Sequence, residues 1–296
     1  MRTNLRNKFR SYLELSKFKI MVPVSLTGFT GYFIFDSHIS LKIFIVTTGI
    51  LFLAISASAL NQIQEVEIDR IMNRTKIRPI PSGKISIQQA MVFSILMLLT
   101  GTLIIVAVSG LPAAIIGLVT IIWYNGIYTY SKRITAFAVV PGALTGALPP
   151  LIGWVAAGGG IWDRSILFVE FLFFIGQVPH FWLLILKYGE EYEEAGIPSL
   201  TRILSRTQIN RLTFSWVVTS VVAALFLCQF EIIRTEYIIA ILFIVSLIII
   251  WQFSGLLKID AAKRSFRKYS VLLDLYFLLV LLLLISDRLV YAIHVR

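Results

Sequence analysis

The sequence predicts an all-α polytopic membrane protein with nine transmembrane helices in a bundle, and three observations carry that prediction. The 296-residue chain is 57% hydrophobic and 15% charged, where a soluble domain carries about 25% charged residues. Apolar runs near the ~20 residues needed to cross a bilayer recur from end to end. Lysine and arginine collect on alternate connections between those runs, as membrane topology demands. The basic N-terminus is not followed by a small-residue cleavage site, so no secretory signal peptide is expected. One cysteine, Cys228, lies in an apolar run and excludes an intramolecular disulfide or a cysteine-based metal site. Residues 1–296 form a single expected domain.

The first span, 18–36, follows six basic residues (Arg2, Arg6, Lys8, Arg10, Lys17, Lys19). The second, 41–61, runs into an inner loop, 61–88, with five more. Spans 89–109 and 112–128 are joined by a short outer connection, and Lys132 and Arg133 follow the second of them. Span 135–157 carries Pro141, Gly142, Gly146, Pro149, Pro150 and Gly153. Small residues at four-residue spacing let helices approach closely, and neighbours re-satisfy the bonds that proline removes. Span 165–186 runs into a second long inner loop, 187–206, and spans 211–230 and 235–257 come next. Lys258, Lys263, Arg264, Arg267 and Lys268 precede the last span, 270–293. With the N-terminus cytoplasmic, 22 of the 27 basic residues lie inside. The net charge of +11 is therefore a topology signal and an attraction to anionic lipid, not a nucleic-acid footprint. A bacterial-type inner or cell membrane is the expected location.

Two acidic clusters hold 7 of the 16 carboxylates, both just past a span on the inner side. Asn61, Glu65 and Asp69 stand at i, i+4 and i+8, one helix face about 12 Å long, with Glu67 off it. Such a ladder offers oxygen ligands to Mg²⁺, or to Mn²⁺ in its place, and Mg²⁺ typically takes one or two protein carboxylates per ion. The second cluster is Glu190, Glu191, Glu193 and Glu194, flanked by Gly189 and Gly196, so part of it is expected to be loop. Glu190, Glu191 and Glu194 are its candidate ligands, and Glu193 reads better as a solvated loop residue. Arg74 and Arg78 follow the first ladder; Tyr128, Lys132 and Arg133 share that membrane side. Guanidinium forks and lysine ammoniums suit diphosphate oxygens. Acids, metal and bases together stabilise a departing diphosphate. Lys132 and Arg133 have an equally plain reading as juxtamembrane anchors. His180, about two turns before the second cluster, suits contact with an acceptor or a porphyrin iron, or simple helix packing.

Four collinear stretches resemble the UbiA superfamily of membrane prenyltransferases and, more narrowly, its heme O synthase branch. They are Asn61 to Pro79, Tyr128 to Trp154, Gln177 to Pro198 and, weakly, Ser270 to Asp287. Glu65 and Glu191 stand where the branch usually has aspartate. The resemblance implies a nine-helix bundle around a central, lipid-accessible cavity. It implies Mg²⁺-dependent loss of diphosphate from farnesyl diphosphate and alkylation of a heme b vinyl group by the allylic cation. Water then adds, giving heme O. The alternatives are a prenyltransferase for an aromatic or quinone-precursor acceptor and, from another class, a transporter using intramembrane polar groups. Acids gathered at one face, with spans nearly free of charge, speak against the transporter.

Overall fold

A computed structural model describes residues 2–258 and 266–294; Lys263, Arg264 and Arg296 lie outside the described residues. The regular structure is helical throughout: α1 (Arg2–Leu15), α2 (Phe18–Phe35), α3 (Leu41–Gln64), α4 (Val66–Ile71), α5 (Ile87–Ser109), α6 (Leu111–Ile122), α7 (Thr129–Ile134), α8 (Val139–Ala157), α9 (Arg164–Glu194), α10 (Arg206–Gln229), α11 (Glu236–Phe253) and α12 (Phe266–His294). A π-helical turn, Trp123–Tyr128, joins α6 to α7, and short 3₁₀ turns sit at Leu200–Arg202 and Ser254–Leu257. Among the described residues nine helical segments are long and apolar enough to cross a membrane, with α6, the π turn and α7 forming one of them. The protein is an integral membrane protein.

Span existence and order follow the sequence prediction, but several boundaries move. The N-terminal segment, read only as a basic leader, is the helix α1. The fourth span continues past 128 to Ile134. The sixth runs to Glu194, so the second acidic cluster is helical rather than partly loop. The last begins at Phe266, which places Asp274 about two turns, or ~12 Å, inside it. Two helix starts, those of α5 and α10, are fixed by reciprocal caps. Ser86 Oγ accepts from Gln89 N (3.2 Å) while Ser86 N donates to Gln89 Oε1 (3.0 Å). Ser205 and Gln208 repeat the arrangement at α10. The turn between α5 and α6 is the single residue Gly110, whose φ of 80° is open to glycine and strained for others.

The core has two large apolar centres. One packs α8 to α12 around Leu172, Leu183, Val217 and Leu284; the other packs α2, α3, α5 and α6 against α8 around Phe33, Ile50 and Ile105. α8 contributes to both. The small residues of α8 allow the close approach expected of them. A Cβ on Gly153 would sit 1.8 Å from Gly28 O, and one on Gly31 of α2 would sit 1.9 Å from Pro150 O. The two backbones therefore touch, and no side chain fits between them. Gly153→Val is expected to destabilise the protein by at least the ~1–3 kcal/mol of ordinary overpacking. A fall in the thermal unfolding midpoint in detergent, with loss of folded yield, checks this.

Candidate active site

The first acidic ladder bends in its middle. Glu65 ends α3 and begins α4 with φ −100° and ψ 8°. The helical bond from Asp69 N to Glu65 O survives at 2.8 Å. Asn61, Glu65 and Asp69 thus stay on one side, but from two helices rather than one straight face. Glu67 turns outward to Arg70 (2.7 Å), as its position off the ladder implies.

Each oxygen donor of the ladder faces a different cation. Asn61, buried, donates through Nδ2 to Thr129 Oγ1 (3.1 Å) and turns Oδ1 to Lys17 Nζ (3.5 Å). Glu65 pairs with Lys132. Asp69 accepts from Arg78 Nη1 on both carboxylate oxygens, at 2.8 and 2.7 Å. The π turn between α6 and α7 widens the helix where Asn125, Tyr128 and Thr129 face this site. Asn125 Nδ2 donates to Ala57 O and to Gln64 Oε1, and Gln64 Nε2 returns a bond to Asn125 O. Arg133 donates to Gln64 O and lies over the Tyr130 ring, so it braces the end of α3 rather than joining the cations.

Lys17 was not among the residues the sequence singled out. It ends the α1–α2 turn with φ 45°, and that left-handed bend turns its side chain back into the bundle. Burial first, then the neighbouring Arg78 guanidinium and Lys132, pull its ammonium down to about 7, against the opposing pull of Glu65 and Asp69. Burial pushes Glu65 the other way, but Lys132, and after it Lys17 and Arg78, outweigh burial and hold its carboxyl below the usual range.

The second cluster meets the first through one acid. Glu191 Oε2 accepts from Arg74 N at 3.3 Å; Arg74 Nη2 donates to Tyr192 OH at 3.4 Å and its guanidinium lies 4.7 Å from the centre of the Tyr188 ring. Arg74 Nε is buried without a partner among the described residues. Glu190 points away, to Arg206 (2.8 Å), at the exposed surface. Glu193 bonds Thr201 and Arg202 of the following turn. Glu194 is exposed on the last turn of α9. The structure therefore brings together Asn61, Glu65, Asp69, Arg74, Arg78, Lys132 and Glu191 with the unforeseen Lys17 and Tyr192. Glu190 and Glu194 stand apart from them.

Beside this charged cluster lies a small cavity of about 90 Å³, lined by Tyr128, Lys132, Phe181, Leu184, Tyr192 and Ile197 among others. Its lining mixes polar groups, Lys132, Thr135 and Ser199 among them, with apolar side chains. Lys132 Nζ sits 4.8 Å from the centre of the Tyr128 ring, and Tyr128 meets Phe181 edge-on at 5.9 Å. Gly142 gives Tyr128 its room, since a Cβ there would fall 2.5 Å from the ring. His180, next to Phe181, pairs through Nδ1 with Asp274 Oδ1 of α12 at 3.1 Å. His180 lies on the same continuous helix as the second cluster, α9, ten residues and so about 15 Å along the axis before Glu190.

The donor set suits a hard divalent ion. Among the described residues no three His, Cys, Asp or Glu side chains are gathered as a protein-only metal cage. Mg²⁺ is usually held by one or two carboxylates with waters and phosphate oxygens instead. Glu65 and Asp69 with the neutral oxygen of Asn61 match that preference, and Glu191, bonded to Arg74 N, is the one acid of the second cluster turned toward the first motif. The orphaned Arg74 Nε is a donor suited to a phosphate oxygen.

A charged cluster beside a partly apolar cavity, in a bundle of membrane-spanning helices, suits a molecule with an anionic head and an apolar tail. The chain matches the UbiA prenyltransferase family over residues 24–286. A protein of Cytophaga hutchinsonii named protoheme IX farnesyltransferase is 37% identical over 66% of this chain and 69% of its own. One of the same name from Oleidesulfovibrio alaskensis is 32% identical over 95% of this chain and 97% of its own. A UbiA homolog from Archaeoglobus fulgidus, solved bound to GPP and Mg²⁺, superposes with a TM-score of 0.69 at 15% identity, over 93% of this chain and 99% of that one. This chain belongs to the UbiA prenyltransferase family. It is a membrane prenyltransferase of the heme O synthase type.

Proposed function

We propose that the protein transfers the farnesyl group of farnesyl diphosphate to a vinyl group of heme b, giving heme O, with its charged end at the cytoplasmic face of a bacterial-type inner membrane. The observation that carries the diphosphate half is the one-to-one facing of ladder oxygens and cations, which meets the cavity at Lys132. Asn61, Glu65 and Asp69 with Glu191 would hold Mg²⁺, or Mn²⁺, which when bound supplies Lewis-acid stabilisation of the leaving diphosphate. Lys17, Arg78 and Lys132, now partnered with the ladder, would turn to diphosphate oxygens as the ladder turns to metal. Arg74 adds a donor from its unpartnered Nε. The apolar side chains beside Tyr128 and Lys132 would receive the diphosphate-proximal part of the prenyl chain and keep water from the allylic cation as the C1–O bond breaks. The vinyl group then attacks C1, and water captures the resulting carbocation and loses a proton. What supports heme as acceptor is the naming of relatives alike over nearly the whole chain, together with the Gln177–Pro198 stretch. Two ligands expected from the sequence, Glu190 and Glu194, face away from Glu191 on the same helix and take no part in this reading.

Incubating the purified protein with farnesyl diphosphate, heme b and Mg²⁺ tests the reading; heme O and inorganic diphosphate should appear in equal amounts. Diphosphate release only with an aromatic acceptor would overturn the heme half and leave the diphosphate half standing. Lys17→Met is expected to weaken binding of the diphosphate by about tenfold to a hundredfold. A charge-assisted hydrogen bond is worth ~1.5–3 kcal/mol, and each 1.4 kcal/mol is tenfold. Binding of a non-hydrolysable farnesyl diphosphate analogue measures this directly, and unchanged affinity would remove Lys17 from the site.

A further inference from the structure

His180 and Asp274 form a pair that the diphosphate chemistry leaves unused, next to Phe181 of the cavity lining. Both lie within spans, and both side chains are open at the seam of α9 and α12, 41% and 60% exposed. An ionisable pair at membrane depth is costly and usually functional. The seam is held in a fixed register: a Cβ on Gly176 would fall 2.0 Å from Phe277, so that ring sits directly against the α9 backbone. One turn along each antiparallel helix from this contact, His180 meets Asp274. The carboxylate takes Nδ1 at 3.1 Å, and the adjacent Phe181 ring packs edge-on against the imidazole at 6.3 Å. With Nδ1 engaged and its proton drawn to the carboxylate, Nε2 carries the free lone pair. A carboxylate behind an imidazole fixes the tautomer, orients the ring and raises its strength as a metal ligand.

We infer that Asp274 is a positioning residue for the acceptor: it holds His180 so that Nε2 binds the iron of the incoming heme at the α9–α12 seam. This rests on the heme reading above and adds where and how the porphyrin is held. A line of contacts from Glu65 through Lys132, Tyr128 and Phe181 to His180 connects the departing diphosphate to this ligand. His38, by contrast, pairs with the exposed Asp36 outside the spans and serves as an internal control.

The test is a titration of the purified full chain with ferric heme b, read by the Soret band, by electron paramagnetic resonance and by the ferric–ferrous midpoint potential. The wild type and His38→Ala should give the same nitrogen-ligated spectrum. His180→Ala should lose that spectrum while still binding a farnesyl diphosphate analogue. Asp274→Ala should weaken heme binding about tenfold to a hundredfold, the usual cost of losing such a partner, and raise the midpoint potential, because a less anionic imidazole favours ferrous iron. Asp274→Glu should restore much of both. Asp274 is exposed, so its substitution leaves the fold intact, and the analogue-binding arm verifies this in each variant. A wild type that makes heme O but whose spectrum is unchanged by His180→Ala overturns the inference and leaves the proposed function standing. An unchanged potential in Asp274→Ala overturns the role of Asp274. A wild type that neither binds heme nor makes heme O overturns the heme reading and this inference with it.

Discussion

Asp69→Asn is expected to lower prenyl transfer by about a thousandfold. Asp69 is 4% exposed at its side chain and is the one ladder acid whose two oxygens both face a single guanidinium. The substitution keeps its shape and removes its charge. A carboxylate that binds metal and balances cations contributes several kcal/mol to the transition state, and each 1.36 kcal/mol is tenfold in rate. It also leaves Arg78 beside Lys17 and Lys132 with one fewer counter-charge. Breaking a fully buried pair from one side costs ~3–5 kcal/mol; Arg78 is 22% exposed, so the lower end applies. Turnover at saturating substrate, measured beside the unfolding midpoint, separates the two effects. Activity within threefold of wild type in a folded variant would remove Asp69 from the chemistry.

Excess chelator should abolish turnover, and Mg²⁺ or Mn²⁺ should restore it. A subtler result should accompany this. Each ladder oxygen already has a cation beside it, so a metal arriving alone must displace Lys17, Lys132 or Arg78 and leave that cation unpaired in a partly buried site. Inorganic diphosphate offers the displaced cations new partners. Metal and diphosphate are therefore expected to bind as a pair, each tightening the other by at least tenfold, and the coupling is reciprocal by thermodynamic necessity. Titrating Mn²⁺ by electron paramagnetic resonance, with and without diphosphate, measures it. Equal Mn²⁺ affinity in both conditions would contradict the exchange of partners, and full turnover in chelator would contradict the metal itself.

The spans were legible because length and apolarity in a bilayer leave little choice of structure. The Asn61–Asp69 ladder was legible because four-residue spacing survives a modest bend at Glu65. The orientation of individual acids in the second cluster was not. On one continuous helix, Glu190 and Glu193 face the Thr201–Arg206 segment and Glu191 faces Arg74, a choice made by a loop whose path spacing does not encode. Lys17 was hidden among six basic residues that all satisfy the same topology rule; only its left-handed turn distinguishes it. A lysine immediately ahead of the first span, opposite a ladder of acids on the same membrane side, was the available signal. The pairing of His180 with Asp274 depends on a close contact between Gly176 and Phe277 of a distant helix, which no local pattern announces.

The heme content of cells expressing this chain tests most directly whether it makes heme O. In a host without heme O of its own, hemes extracted from cells carrying the wild-type chain should contain heme O by mass spectrometry, and those from cells carrying an equal amount of folded Asp69→Asn should contain little or none. Heme b alone in both, with the protein folded in the membrane, would contradict the account.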